Sequence, residues 1–263
     1  MTSTHGFSVR AFDCNIQVAT PCLEASSIME RYVFPSLPRM ACADRRPDVF
    51  IRVDRVSDQF QLSTDGAPVA SACQVTRLVP DLIRVLDEAV IQRLTALRAV
   101  HAGVVLWRER ALLLPGATHA GKSSLVAELL RRGATYFSDE YALIDSEGLV
   151  HPYPRPLLLR NGHPEQVPLL PGECNASVGE FPAPIGWILS LPYLPTCTWS
   201  IAPVSQSEGL LALLRNTPHV LAESPDIVRF FQRAAAGATC YAGHRAEAAE
   251  AADRILRLID CSA

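Results

Sequence analysis

The clearest periodicity in the chain starts at Pro80. Leu82, Leu86, Val90, Leu94 and Leu97 recur at helical spacing while Arg84, Asp87, Glu88 and Arg93 face elsewhere, so the stretch predicts an amphipathic helix whose apolar stripe is core. The preceding stretch reads differently. Residues 7–12 and 48–53 alternate as half-buried strands, Asp65-Gly66 is a turn signal between 60–63 and 69–70, and a short helix fits 25–32. After the amphipathic helix, residues 100–106 and 110–114 predict an antiparallel hairpin joined by Trp107-Arg108-Glu109. The second strand runs into a loop, and Leu125, Ala127, Leu129 and Leu130 then mark a helix that Gly133 can end.

Further on, residues 134–137 and 141–144 read as strands separated by Ser138-Asp139-Glu140, and Ser146-Glu147-Gly148 turns the chain into 149–151. Residues 152–184 are rich in Pro and Gly and poor in periodicity, as lids and substrate loops often are. Residues 187–191 and 198–201 look like a strand pair, and Leu210, Leu211 and Leu214 mark a helix. Ser224-Pro225-Asp226 caps another helix over 227–236, residues 238–241 suggest a last strand, and Ala248, Ala252, Ile255 and Ile259 line a closing helix. Two regions follow: a β-rich N-terminal layer over 1–74, and an α/β domain with a mixed sheet over 75–263.

Composition narrows the function classes. A chain of 263 residues with 49% hydrophobic and 19% charged residues has the material for ample core. The net charge of −3 gives no electrostatic case for a nucleic acid or an anionic membrane as partner. No apolar run reaches the roughly 18 residues of a spanning helix, and the first residues lack the apolar core of a signal peptide, so the cytoplasm is the expected location. The 8 cysteines form no C-x-x-C pair and are widely spaced, which points to reduced thiols and away from a disulfide framework or zinc site.

The chemistry concentrates in Gly116-Ala117-Thr118-His119-Ala120-Gly121-Lys122-Ser123, which fits the phosphate-loop pattern G-x-x-x-x-G-K-[ST] between a strand and a helix. Gly116 and Gly121 allow backbone angles and close approach that a Cβ would hinder. The N–H groups from the loop into Ser124 face a phosphate, where the helix dipole favours negative charge. Lys122 offers a compact positive charge to the outer phosphates, and the Ser123 hydroxyl can sit on Mg²⁺. Lys122 is also the single lysine of the chain, every other Lys+Arg position being Arg. Asp139 and Glu140, at the end of a strand, are acceptors for Mg²⁺ or for a substrate hydroxyl proton. Arg155 and Arg160 can reach phosphates. The histidines show no metal spacing.

The arrangement of His101, the loop, and Asp139-Glu140 resembles the catalytic domain of HPr kinase/phosphorylase. His101 lies 15 positions before Gly116 (116 − 101) and Asp139 lies 17 after Lys122 (139 − 122), separations similar to the family's. His-Ala-Gly, Ser-Asp-Glu and Pro154-Arg155-Pro156-Leu157-Leu158-Leu159-Arg160 look most like its compact branch, which includes kinases of lasso-peptide precursors. The likeness covers residues 100–160. It implies a P-loop HPr kinase-like fold and an ATP- and Mg²⁺-dependent kinase acting on a serine hydroxyl of a peptide or small protein. Loop residues 116–124 and Arg160 would then hold the nucleotide, and Ser123 with Glu140 would hold Mg²⁺. Asp139 would accept the hydroxyl proton, and His101 would orient that carboxylate or contact the γ-phosphate. Homo-oligomers are implied by the family alone. Thr118-His119 stands where the family usually has Ser-Gly, Glu140 stands where HPr kinases have Asp, and no copy of the later basic motif linked to dephosphorylation is found. A non-catalytic nucleotide-binding module and a small-molecule kinase are the alternatives.

Overall fold

The computed structural model describes residues 5–33, 39–40, 46–118, 120–160, 162, 165–218 and 226–261. The chain divides into two compact units, Met1–Thr95 with Leu158–Leu169, and Ala96–Leu157 with Leu170–Ala263. The boundary falls after Thr95 and not at 74, because the amphipathic helix belongs with the N-terminal strands.

In the first unit the chain forms β1 (His5–Ala11), β2 (Cys14–Thr20), α1 (Leu23–Val33), β3 (Arg39–Met40), β4 (Val49–Val56), β5 (Gln59–Thr64), β6 (Ala67–Ala72) and α2 (Val79–Ile91). The sheet order is β3-β1-β2-β4-β5-β6, with β2 and β4 parallel and the other pairs antiparallel. Alternation along β1, β2, β4 and β5 sends Val9, Ile16, Val18, Ile51, Val53 and Leu62 inward, all at most 1% exposed. The face of α2 built from Leu82, Ile83, Leu86 and Val90 is buried, as its periodicity requires. The helix stops at Ile91, however, so Leu94 and Leu97 lie beyond it. Thr95 is held by Asp13, whose carboxylate accepts from both its N–H (3.1 Å) and its hydroxyl (2.8 Å). That contact, from 82 residues away, fixes the chain at a point where the apolar spacing alone would have continued the helix.

The second unit opens with β7 (Arg98–Trp107) and β8 (Arg110–Pro115), the expected hairpin, turned by Arg108 and Glu109 at φ 46° and 62°. Then follow α3 (Lys122–Arg131), β9 (Thr135–Ser138), β10 (Tyr141–Ile144) and β11 (Leu149–His151). The stretch expected to be irregular carries β12 (Leu157–Leu159) and β13 (Val167–Leu169), which pair, and residues 158–169 join the first unit. It is therefore not one continuous lid. The chain continues with β14 (Ala183–Ser190), β15 (Ser200–Val204), α4 (Gln206–Arg215), α5 (Ile227–Ala235), β16 (Thr239–His244) and α6 (Ala248–Cys261). The cap residues Ser224 and Pro225 lie outside the described residues; Asp226 precedes α5 without a side-chain cap bond.

The sheet of this unit runs β11-β10-β7-β8-β14-β16-β15, with β9 alongside β7. β14 is parallel to both β8 and β16, and the remaining pairs are antiparallel, so the sheet is mixed. The expected pairing of β14 with β15 is corrected here: β16 inserts between them. α4 and α5 bury Leu213 and Phe231 against Val104, Leu113 and Ile188 on one face. On the other, Gly103 admits Val126 of α3 so closely that a Cβ would come within 2.6 Å of its methyl. Among the described residues no helix is long and apolar enough to cross a membrane.

Candidate functional site

The loop between β8 and α3 lies at the C-terminal end of the parallel trio β8, β14 and β16, where α/β sheets bind ligands. Gly121 caps α3 in the left-handed region at φ 75°, a conformation that costs a residue with a Cβ. The loop's start is tied to β7, because the Gly116 N–H donates to the His101 carbonyl at 3.2 Å. The His101 N–H in turn donates to the Asn216 carbonyl, just past α4, at 2.7 Å. His101 is thus held by its backbone between loop and helix.

Lys122 is 8% exposed, and its ammonium donates to the carbonyls of Gly116 (2.9 Å) and Ala117 (3.0 Å) across the loop. It lies 3.5 Å from His101 Nε2. Burial pulls the ammonium below its ordinary pKa, opposed by the charges of Glu140 and Asp139. Ser123, half-buried, lies beside Asp139 and pulls its carboxyl's pKa down. Ala117, Thr118 and Ser124 are exposed, and Gly116 and Ala120 are half-buried. His119 lies outside the described residues.

The two acids behave differently. Asp139 is 3% exposed, and one of its oxygens, Oδ1, has no hydrogen-bond partner. Burial pushes its carboxyl up to about 7, with the neighbouring Glu140 adding to the rise and Ser123, Arg155 and Lys122 pulling it down. Glu140 meets His101 instead, Oε1 to Nε2 at 2.5 Å. Burial pushes the Glu140 carboxyl up, but the bond and charge of His101, with Arg155 and Lys122, outweigh it and hold the group below its ordinary value. Two adjacent carboxyls with pKa values moved apart are suited to different tasks. The expectation was Ser123 with Glu140 at the metal, and His101 either orienting Asp139 or contacting the γ-phosphate. The structure joins His101 to Glu140 and sets it 3.5 Å from the Lys122 ammonium, while Ser123 lies beside Asp139.

Arg155, 6% exposed, is buried near these acids and acts on both by its charge. Arg160 is exposed and belongs to the first unit, so the second unit does not contribute it to the loop. Sequence reasoning missed Arg245, just after β16. It is 1% exposed, and its Nη2 donates to the carbonyls of Gly121 (2.6 Å) and Ala120 (3.3 Å). Nothing in its local sequence distinguishes it from a surface arginine. Beside the loop is a cavity of about 590 Å³ whose walls include Gly116, Lys122, Leu189, Leu191, Leu211 and Arg215, a size ordinary for small-molecule sites.

A comparison with models of known protein families finds no match, and a search of curated proteins finds no relative.

Proposed function

We propose that this chain is an ATP- and Mg²⁺-dependent kinase of HPr-kinase-like type that moves the γ-phosphate to a serine hydroxyl of a peptide or small protein. The observation that carries this is convergence. A buried ammonium, a loop hydroxyl, two adjacent carboxyls and an imidazole, drawn from β7, the loop with α3, and the turn between β9 and β10, meet at the mouth of one helix. A chance match to the loop pattern gives no reason for a nearly fully buried carboxyl against its serine.

The loop N–H groups and Lys122 would hold the β- and γ-phosphates. The Ser123 hydroxyl and the Glu140 carboxyl are hard oxygen donors suited to Mg²⁺, and the unbonded Oδ1 of the buried Asp139 is left free to take a proton. Mg²⁺ held there supplies charge neutralisation for the phosphate oxygens. Asp139, with a pKa of about 7, is poised to take the proton of the incoming serine hydroxyl. The serine oxygen then bonds to the γ-phosphorus, the bond to the bridging oxygen breaks, and ADP leaves. Glu140 fixes His101 beside Lys122, and the imidazole is within reach of the same phosphate. Positioning and charge do most of the catalytic work in such a transfer.

The test is incubation with labelled ATP and peptides encoded beside this gene, followed by mass spectrometry. A phosphate on a peptide serine, absent in Asp139→Asn while ATP still binds, supports the kinase. ATP binding with no phosphate transferred to any peptide overturns it.

A further inference from the structure

The loop's phosphate-facing geometry is held from behind by a residue far away in sequence. We propose that Arg245 is a positioning residue that sets the loop for its ligand, fixing the Ala120 and Gly121 carbonyls so that the N–H groups of Gly121 and Lys122 project towards the phosphates. This rests on the loop being a phosphate site and goes beyond it by naming what orients it.

The geometry is simple. In a trans peptide the C=O and the following N–H point opposite ways. The Ala120 carbonyl accepts from Arg245 Nη2 at 3.3 Å and from the Tyr193 N–H at 3.3 Å. The Gly121 carbonyl accepts from Nη2 at 2.6 Å and from the Leu125 N–H at 3.2 Å. With both carbonyls turned to these donors, the partner N–H groups face the other way, and neither finds an acceptor among the described residues. They are the first-turn amides that a helix leaves for an anion.

The backbone that carries the guanidinium is itself fixed. The Arg245 N–H donates to the Pro192 carbonyl at 3.3 Å, its own carbonyl accepts from Leu194 at 2.9 Å, and the Tyr193 ring lies 5.6 Å from the guanidinium carbon. The segment after β14 and the end of β16 therefore form one bracket under the loop. Gly121 is seated so tightly on this bracket that a Cβ would come within 2.5 Å of Nη2. Arg245 has no carboxylate ion pair among the described residues, so a buried positive charge sits behind the loop, met by the two carbonyls and, at longer range, by the charge of Glu247. A polyphosphate on the loop would add negative charge on its other side. A planar fork suits this place better than an ammonium, since Nη2 takes the two loop carbonyls while Nη1 donates to the Ala246 carbonyl at 3.1 Å and the plane lies over a ring.

The experiment compares wild type, Arg245→Met, Arg245→Lys, Lys122→Met and Arg132→Met by calorimetric titration with ATP and with inorganic pyrophosphate, each well below its melting temperature. Pyrophosphate isolates the loop from any contact to the nucleoside. Arg132 joins α3 to α6 through Asp253 and also pairs with Glu128, so Arg132→Met reports destabilisation without a change at the loop. Arg245→Met is expected to weaken both ligands about tenfold or more, Arg245→Lys about threefold, and Arg132→Met not at all despite its lower melting temperature. Wild-type affinity in Arg245→Met overturns the proposal; if that variant does not fold, wild-type affinity in Arg245→Lys does so. In either case, lost binding in Lys122→Met leaves the phosphate site standing. If wild type binds neither ligand, or Lys122→Met binds as wild type, the phosphate site itself fails, and this inference with it.

Discussion

The two units of this chain bury different things. Among the described residues of the first unit, the one buried charged side chain is Asp87, and the interior is otherwise mostly the aliphatic product of alternating strands and one amphipathic helix. The second unit buries Lys122, Asp139, Arg155 and Arg245, all around one loop. Burying a charge is costly unless it is paired, so a chain keeps such groups inside only where something else needs them. The first unit is built as a stable layer. The second gathers its buried charges around one loop, as functional sites tend to do.

The largest expected effect breaks this contrast at its centre. Asp139→Asn should lower phosphate transfer by about 10²- to 10⁴-fold while ATP binding, measured by titration, persists. A loss of binding equal to the loss of transfer would instead place Asp139 in ligand capture. The counterpart lies in the first unit. Leu62→Ala, at a site 0% exposed, should cost about 2–5 kcal/mol in denaturant unfolding and leave nucleotide affinity of the folded protein unchanged. Changed affinity would mean that the first unit acts on the site.

A pH series sharpens the contrast. Since burial raises Asp139 to about 7, its base form is lost as pH falls, and transfer should drop about tenfold per unit below that value. The stability of the unliganded protein should move the opposite way. A carboxyl raised above its unfolded value of 3.8 favours the fold fully below that pH, and the favour is lost as pH rises through about 7. Asp139→Asn should remove this slope from unfolding curves recorded between those limits. The smallest effect is at the surface of α2. Arg84 bonds Glu88 at 3.0 Å with both side chains about half exposed, and Arg84→Ala should shift stability by about 0.5 kcal/mol or less.

How much of this was legible in the sequence depends on the range of the interactions involved. The hairpin into the loop, the left-handed Gly121 and the helix after it follow from short patterns, because turn chemistry and backbone freedom act over a few residues. His101 and Asp139-Glu140 were legible as candidates by type and spacing. Their pairing was not, since His101 and Ser123 come from separate elements and which acid each meets is set by how β7, α3 and β10 pack. The early end of α2 was hidden for a similar reason, as Asp13 is remote from Thr95 in the chain.

By itself, the sequence determined the mixed α/β character, the β-rich beginning, most strands and helices, and a glycine-flanked loop with the chain's one lysine. Only the tertiary structure decided that β16 slides between β14 and β15, which carries Arg245 beneath the loop and gives it the Ala120 and Gly121 carbonyls. The physical reason is that periodicity specifies which face of a strand is apolar but not which neighbour fills its open edge. That choice is made by the burial and hydrogen bonding of the whole sheet together.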